Sequence, residues 1–300
     1  MQNDQAGTPP AASHSGGAAA PSRFALGPRL KSARLARDPF PHIVLENAVP
    51  PDAYRQLAET FPIHRIPGDM MARDNHRVDV FASFGKSIIP SREELSPAWR
   101  NFVEQNAVPS FAESVAKIFR RDLSDEKVKL LHRVKAPSMR ARLAAWLSGN
   151  GEDADDILQE PVPADRIKVR VSLGTNTPVK TPSRVRGAHV DREYKAFVGL
   201  YYLKDPSEGE CGGDLQLYRW KDQVAERPEW PSSIDDDLVE PAETVKYAAN
   251  TLVLFLNSAD SIHGVTRRFE TPVPRRLVVV SGWFPSYVTD AKLRKMLGPY

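Results

Sequence analysis

The chain has 300 residues, of which 41% are hydrophobic and 26% charged, an ordinary globular composition that allows one large domain or two small ones. A net charge of +3 is too small to argue for a nucleic-acid binder, and no stretch approaches the ~20 apolar residues needed to span a bilayer. The single cysteine, Cys211, cannot form an internal disulfide, which fits a reducing compartment, so the expected location is cytoplasmic.

Residues 1–22 are Ala, Gly, Ser and Pro with scattered polar residues and are expected to form a disordered tail, because alanine buries too little surface to offset chain entropy. Residues 23–165 read as a mainly helical region. Pro41–Leu45 predicts a short strand, and Pro51–Phe61 a helix that starts on proline and sets Ala53, Leu57, Ala58 and Phe61 on one face. Residues 62–90 give no clear period. Ser91 with Glu94, and Ser110 with Glu113, have capping-box spacing. Phe111, Val115, Ile118 and Phe119 make a helical stripe expected to pack on a sheet. Two further helical pieces, Asp125–Leu131 and Met139–Leu147, lead to an acidic loop at Gly149–Asp156.

From Arg166 the period changes to two: Ile167, Val169, Val171 and Leu173 alternate with Lys168, Arg170 and Ser172, as in a half-buried strand. Further strands are expected at Phe197–Leu203, Asp214–Tyr218, Thr244–Tyr247, Leu252–Leu256 and Leu277–Trp283. Gly212-Gly213, Asn250 and Gly264 are the turn candidates. Helices first and many short strands later predict an α+β protein with a double-stranded β-helix (jelly-roll, cupin-like) core over 166–290, the helical region packed on it, and a helix or tail at 291–300.

His189-Val190-Asp191 carries the chemistry. Side chains at i and i+2 of an extended segment point the same way, so imidazole and carboxylate can approach one metal ion together. His263 follows an apolar strand and can supply a third ligand, giving a two-histidine, one-carboxylate face that suits Fe(II) and leaves the opposite positions open. A keto-acid co-substrate would also need a buried cation for its far carboxylate. Arg276 opens the last strand and is the candidate; its neighbour Arg275 is expected on the other face.

These residues resemble the prolyl-hydroxylase-like branch of the iron(II)/2-oxoglutarate oxygenases. The elements are His189-Val190-Asp191, Tyr201-Tyr202-Leu203, Gly212-Gly213-Asp214-Leu215, His263-Gly264-Val265 and Arg276-Leu277, in the family's order. Val278 stands where the family often has Ser, and Asn250 where it usually has Gly. The resemblance implies Fe(II) held by His189, Asp191 and His263, with 2-oxoglutarate and O2 as co-substrates. It places Arg276 on the 2-oxoglutarate carboxylate with Tyr202 hydrogen-bonded beside it. The implied reaction hydroxylates a small molecule, an amino acid or a peptidyl residue and releases succinate and CO2. Arg184, Arg186, Arg192, Arg267 and Arg268 flank the histidines, and their density predicts an anionic substrate. Two other classes stay open: a cupin-like metal enzyme that does not use 2-oxoglutarate, and an inactive binding module on the same fold. Oligomeric state is not legible.

Overall fold

In the computed structural model, the described residues are 23–83, 87–124, 167–192, 194–222, 224 and 233–283. The expected tail at 1–22, the helices at 125–131 and 139–147, the loop at 149–156 and the segment 291–300 lie outside them.

Two antiparallel sheets face each other. The chain runs β1 (Arg34–Ala36), β2 (His42–Leu45), α1 (Pro51–Glu59), α2 (Gly68–Met71), β3 (Arg77–Ala82), α3 (Pro97–Asn106), α4 (Pro109–Ile118) and α5 (Arg120–Ser124). It continues with β4 (Lys168–Asn176), β5 (Lys195–Tyr202), β6 (Leu215–Trp220), β7 (Val239–Val245), β8 (Thr251–Leu256), β9 (His263–Val265) and β10 (Arg275–Trp283). The large sheet has the order β1-β2-β8-β5-β10-β4-β3, and the small one β7-β6-β9. Sequence-distant strands become neighbours, as a jelly roll requires. The region read as helical therefore also contributes strands: β1 and β2 extend one edge of the large sheet, and β3 the other.

The large sheet is buried on both faces. Val171, Leu173, Tyr201, Leu254, Val278 and Val280 pack outward against Leu57, Trp99, Phe102 and Phe111 of the helices. Val198, Tyr202, Val253, Phe255 and Leu277 pack inward against Leu215 and Leu217 of the small sheet. This double covering is why β4, expected to be half-buried, is buried on both sides from Val169 onward. The helices take different caps from those read in the sequence. Ser91 accepts from the Glu93 amide and caps only a short 3-10 turn, while Ser96 caps α3 by accepting from the Trp99 amide. Ser110 is not a cap, because Pro109 already occupies the first helical position of α4.

Asn250 sits in the left-handed region (φ 55°). Its side-chain oxygen accepts from the Val49 amide at 3.1 Å and the Tyr201 hydroxyl at 3.0 Å, and its amide donates to the Val49 carbonyl at 2.8 Å. Asparagine thus does here what a glycine could not, bolting the start of β8 to the helical layer. Gly264 is not a turn but the middle of β9: a Cβ there would lie 2.7 Å from the Gly187 carbonyl oxygen, so the residue is glycine to let two strands approach.

Asn106 anchors the N-terminal segment to α3. It accepts from the Leu26 amide at 2.8 Å and donates to the Phe24 and Phe102 carbonyls at 2.9 and 2.8 Å, fully buried. Replacing Asn106 with Ala strands buried polar groups, and the expected loss is about 2–3 kcal/mol in a denaturant titration. A loss below about 1 kcal/mol would mean that water takes over these bonds.

Candidate metal centre

His189, Asp191 and His263 converge: one ligand atom from each lies within 4.8 Å of the others. The backbone explains why. His189 and His263 exchange two hydrogen bonds, His189 N–H to His263 O at 3.0 Å and His263 N–H to His189 O at 2.9 Å. The bridge adds the 189 segment to the free side of β9, whose other side pairs with β6 through Leu217 opposite His263. Their rings lie 4.3 Å apart, with Phe255 from β8 packed 4.7 Å from the His263 ring.

Each imidazole is oriented by its other nitrogen. His189 Nδ1 donates to the Gly187 carbonyl at 2.9 Å, and His263 Nδ1 to the Ser261 carbonyl at 3.0 Å. A carbonyl only accepts, so the proton resides on Nδ1 and Nε2 presents its lone pair. The Ser261 carbonyl is itself held by a tight turn in which the Ser261 hydroxyl donates to Ser258 O at 2.8 Å and accepts from the Ser258 amide at 3.0 Å. Asp191 places Oδ2 at 3.5 Å from His263 Nε2, and its Oδ1 accepts from Lys195 Nζ at 2.9 Å.

The protonation states agree with a metal site. Burial, together with Arg186 near both rings, lowers the pKa of both imidazoles, so each is neutral at pH 7. For Asp191, burial acts to raise the pKa, but the Lys195 ammonium, which also donates to Oδ1, is the largest opposing influence, and the carboxyl is held well below the usual range. Neutral nitrogen donors and an ionised carboxylate are the forms a divalent first-row ion takes. The donor set and the anchored Nδ1 protons therefore fit an iron ion.

The two arginines that open β10 face opposite ways, and in the reverse sense to that expected. Arg276 lies on the helical side, donating to Asp205 Oδ2 at 2.9 Å and the Ala58 carbonyl at 3.1 Å. Arg275 is buried between the sheets, its guanidinium 4.5 Å from the Tyr247 ring centre and 5.1 Å from that of Tyr202. It donates to the Gly213 carbonyl at 3.0 Å and Asn176 Oδ1 at 3.3 Å. Tyr202 faces the same interior. Burial pushes its phenol up to about 12 against a smaller opposing pull from Arg275, and the hydroxyl lies beside that arginine without a well-aligned hydrogen bond.

Three charges meet at this end of the sandwich. Arg268 is fully buried, pinned by Asn75 Oδ1 at 2.9 Å, Thr177 O at 3.0 Å and Val273 O at 3.1 Å, with the buried carboxylate of Glu208 at 3.4 Å. Gly213, at φ 80°, lets the Arg268 and Arg275 stems pass on either side: a Cβ there would meet Arg268 Cγ at 3.0 Å and Arg275 Cδ at 3.3 Å. Arg268 is paired with Glu208, whereas Arg275 hydrogen-bonds to neutral acceptors among the described residues, and its buried positive charge favours an anion in this interior.

Of the arginines flanking the histidines, Arg268 is thus part of the core. Arg184 donates to Asp236 at 2.6 Å, and Arg267 to the Pro182 carbonyl at 2.9 Å. Arg192 lies on the connection into β5, its carbonyl accepting from the Lys195 amide at 3.0 Å and from Asn257 Nδ2 at 2.8 Å. Arg186 is exposed, with its carbonyl accepting from the Val265 amide at 3.0 Å, and with no hydrogen bond or ion pair to its guanidinium among the described residues. Lys195, Asn257, Arg275 and Glu208 were not singled out as site residues in the sequence. Lys195 carried the one available signal, a lysine four residues after a candidate ligand.

No protein-family model matches the sequence, and no curated protein matches it. Among solved structures the chain is similar to a Pseudomonas putida prolyl-4-hydroxylase, at 15% identity and TM-score 0.40, over 88% of this chain and 99% of that one. It is also similar to a dioxygenase for auxin oxidation in rice, at 12% identity and TM-score 0.40, over 81% and 74% of the two chains. A third is JOX2 in complex with 2OG, Fe and JA, at 11% identity and TM-score 0.37, over 81% and 67%. No helix among the described residues is long and apolar enough to cross a membrane.

Proposed function

We propose that the chain is an Fe(II)- and 2-oxoglutarate-dependent oxygenase that hydroxylates a small molecule, an amino acid or a peptidyl residue. The observation that carries this is the joint placement of the His189–Asp191–His263 triad and the buried Arg275 inside one sandwich. When bound, iron and the keto acid supply O2 activation, with decarboxylation of 2-oxoglutarate to succinate and CO2 and transfer of one oxygen atom to a substrate C–H bond.

The chain's own residues do the rest. His189 and His263 offer Nε2, and Asp191 offers Oδ2. Arg275 takes the far carboxylate of the co-substrate, replacing Arg276 in that role, and a fork of N–H donors held flat by two tyrosine rings is suited to it. Tyr202 can donate its phenolic proton to the same carboxylate, since its raised pKa keeps it protonated at neutral pH. Phe255, Leu217 and Val198 keep the interior dry, which strengthens each of these polar contacts. Arg186, exposed beside both imidazoles, is positioned to attract a carboxylate or phosphate on the substrate.

The test is anaerobic. Addition of Fe(II) and then 2-oxoglutarate to metal-free protein is expected to give the visible charge-transfer band of a chelated keto acid. Iron binding without the band would point to a cupin-like enzyme that does not use 2-oxoglutarate, and no iron binding would leave a binding module.

A further inference from the structure

Resting on His189, Asp191 and His263 as metal ligands, we infer that Lys195 makes Asp191 a one-oxygen ligand and so keeps a coordination position open on the metal. A carboxylate can bind an ion through one oxygen or both. Here the two oxygens of Asp191 are already distinguished: Oδ2 lies near His263 Nε2 at 3.5 Å, whereas Oδ1 accepts from Lys195 Nζ at 2.9 Å. Turning both oxygens to the ion would set it against the Lys195 ammonium on the same oxygen, weakening a charge-assisted hydrogen bond and bringing two cations together between groups that are only 19% and 11% exposed.

The lysine is fixed to do this. Its amide donates to the Arg192 carbonyl at 3.0 Å, closing the turn that returns from Asp191 into β5. Asn257, fully buried at the end of β8, donates through Nδ2 to the Arg192 carbonyl at 2.8 Å and the Lys195 carbonyl at 3.0 Å. The backbone at both ends of the connection is thus held, and the lysine stem reaches from it back to the carboxylate.

The consequence is a count of positions. An octahedral ion held by three protein atoms on one face has its opposite face free, enough for a chelating keto acid and O2 together. A carboxylate bound through both oxygens would take one of those places. Lys195 therefore positions Asp191; it is not itself in contact with the metal.

The probe is Mn(II), which takes the same nitrogen and oxygen donors and whose bound waters are read from solvent proton relaxation. Lys195→Met is expected to bind Mn(II) at least as tightly as the parent, having lost a nearby cation, while its relaxivity per bound ion falls by roughly a third as one of three waters is displaced. Lys195→Arg, which restores a cationic donor, is expected to keep the parent value. Equal relaxivity in the parent and Lys195→Met would overturn the inference. So would loss of Mn(II) binding in a folded Lys195→Met, which would mean that lysine aims the carboxylate rather than restricts it, and so would failure of the parent to bind Mn(II). If the parent binds Mn(II) but gives no keto-acid band with Fe(II), the oxygenase proposal fails and Lys195 is still judged by relaxivity.

Discussion

His263→Ala is expected to weaken Fe(II) binding by more than about a hundredfold, beyond the 10–100-fold that loss of a supporting partner costs, and to abolish any 2-oxoglutarate turnover. The imidazole would supply one of three ligand atoms, while the backbone pairing around it does not need the side chain. The His263 amide and carbonyl bond to His189, and Leu217 pairs with it across β6, all through backbone. The variant should therefore fold with the parent's circular dichroism, at an unfolding midpoint lowered by the packing lost against Phe255 and the bond lost to the Ser261 carbonyl. His76→Ala serves as the control, because His76 is exposed and belongs to no ligand cluster among the described residues. A folded His263→Ala that still takes iron with parent affinity would remove the triad as the metal site.

The second large effect separates two adjacent arginines. Arg275→Ala is expected to raise the KM for 2-oxoglutarate by about thirtyfold or more, the 2–5 kcal/mol typical of removing one partner from a buried charged pair. Arg275→Lys should recover only part of this, since a lysine keeps the charge but not the fork. Arg276→Ala should leave that KM unchanged. Its guanidinium binds Asp205 and the Ala58 carbonyl on the far side of β10, so the loss appears as about 1–2 kcal/mol of stability instead. The opposite pattern, with co-substrate binding lost only in Arg276→Ala, would reverse the assignment. Comparison of 2-oxoglutarate dissociation constants by the anaerobic band, alongside KM, distinguishes weak binding from slow chemistry.

The arginine pair also shows where a sequence stops being legible. The spacing of His189 and Asp191 is readable because an extended chain repeats its direction every second residue, whatever surrounds it. The same rule applied to β10 gives no answer. Leu277 and Val279 face the small sheet, Val278 and Val280 face the helices, and all four are apolar, because both sides are covered. A strand buried on both faces carries no polar-apolar alternation, so Arg275 and Arg276 could not be assigned sides from pattern alone.

Other gaps have similar causes. The strands β1 and β9 are three residues each, too short to show a period. They are held by pairing to distant segments, β1 to β2 and β9 to both β6 and His189. The long apolar strands β5, β8 and β10 were visible where the structure has them. So was the glycine turn at 212–213, where both residues take positive φ. Asn257 left no mark in the sequence, because its work is done on carbonyls that come together only after β5 and β8 pair.

The backbone bridge between the two histidines bears on how fast a metal could come and go. His189 and His263 are not two side chains that happen to meet; each amide is the other's partner. Spreading the ligands requires breaking both bonds together, a local opening with its own barrier and its own small equilibrium population. The ligands are therefore held in place before an ion arrives, so capture should cost the chain little ordering. Release goes through the open face and needs no strand to part, so a chelator that reaches that face should strip the ion faster as its concentration rises.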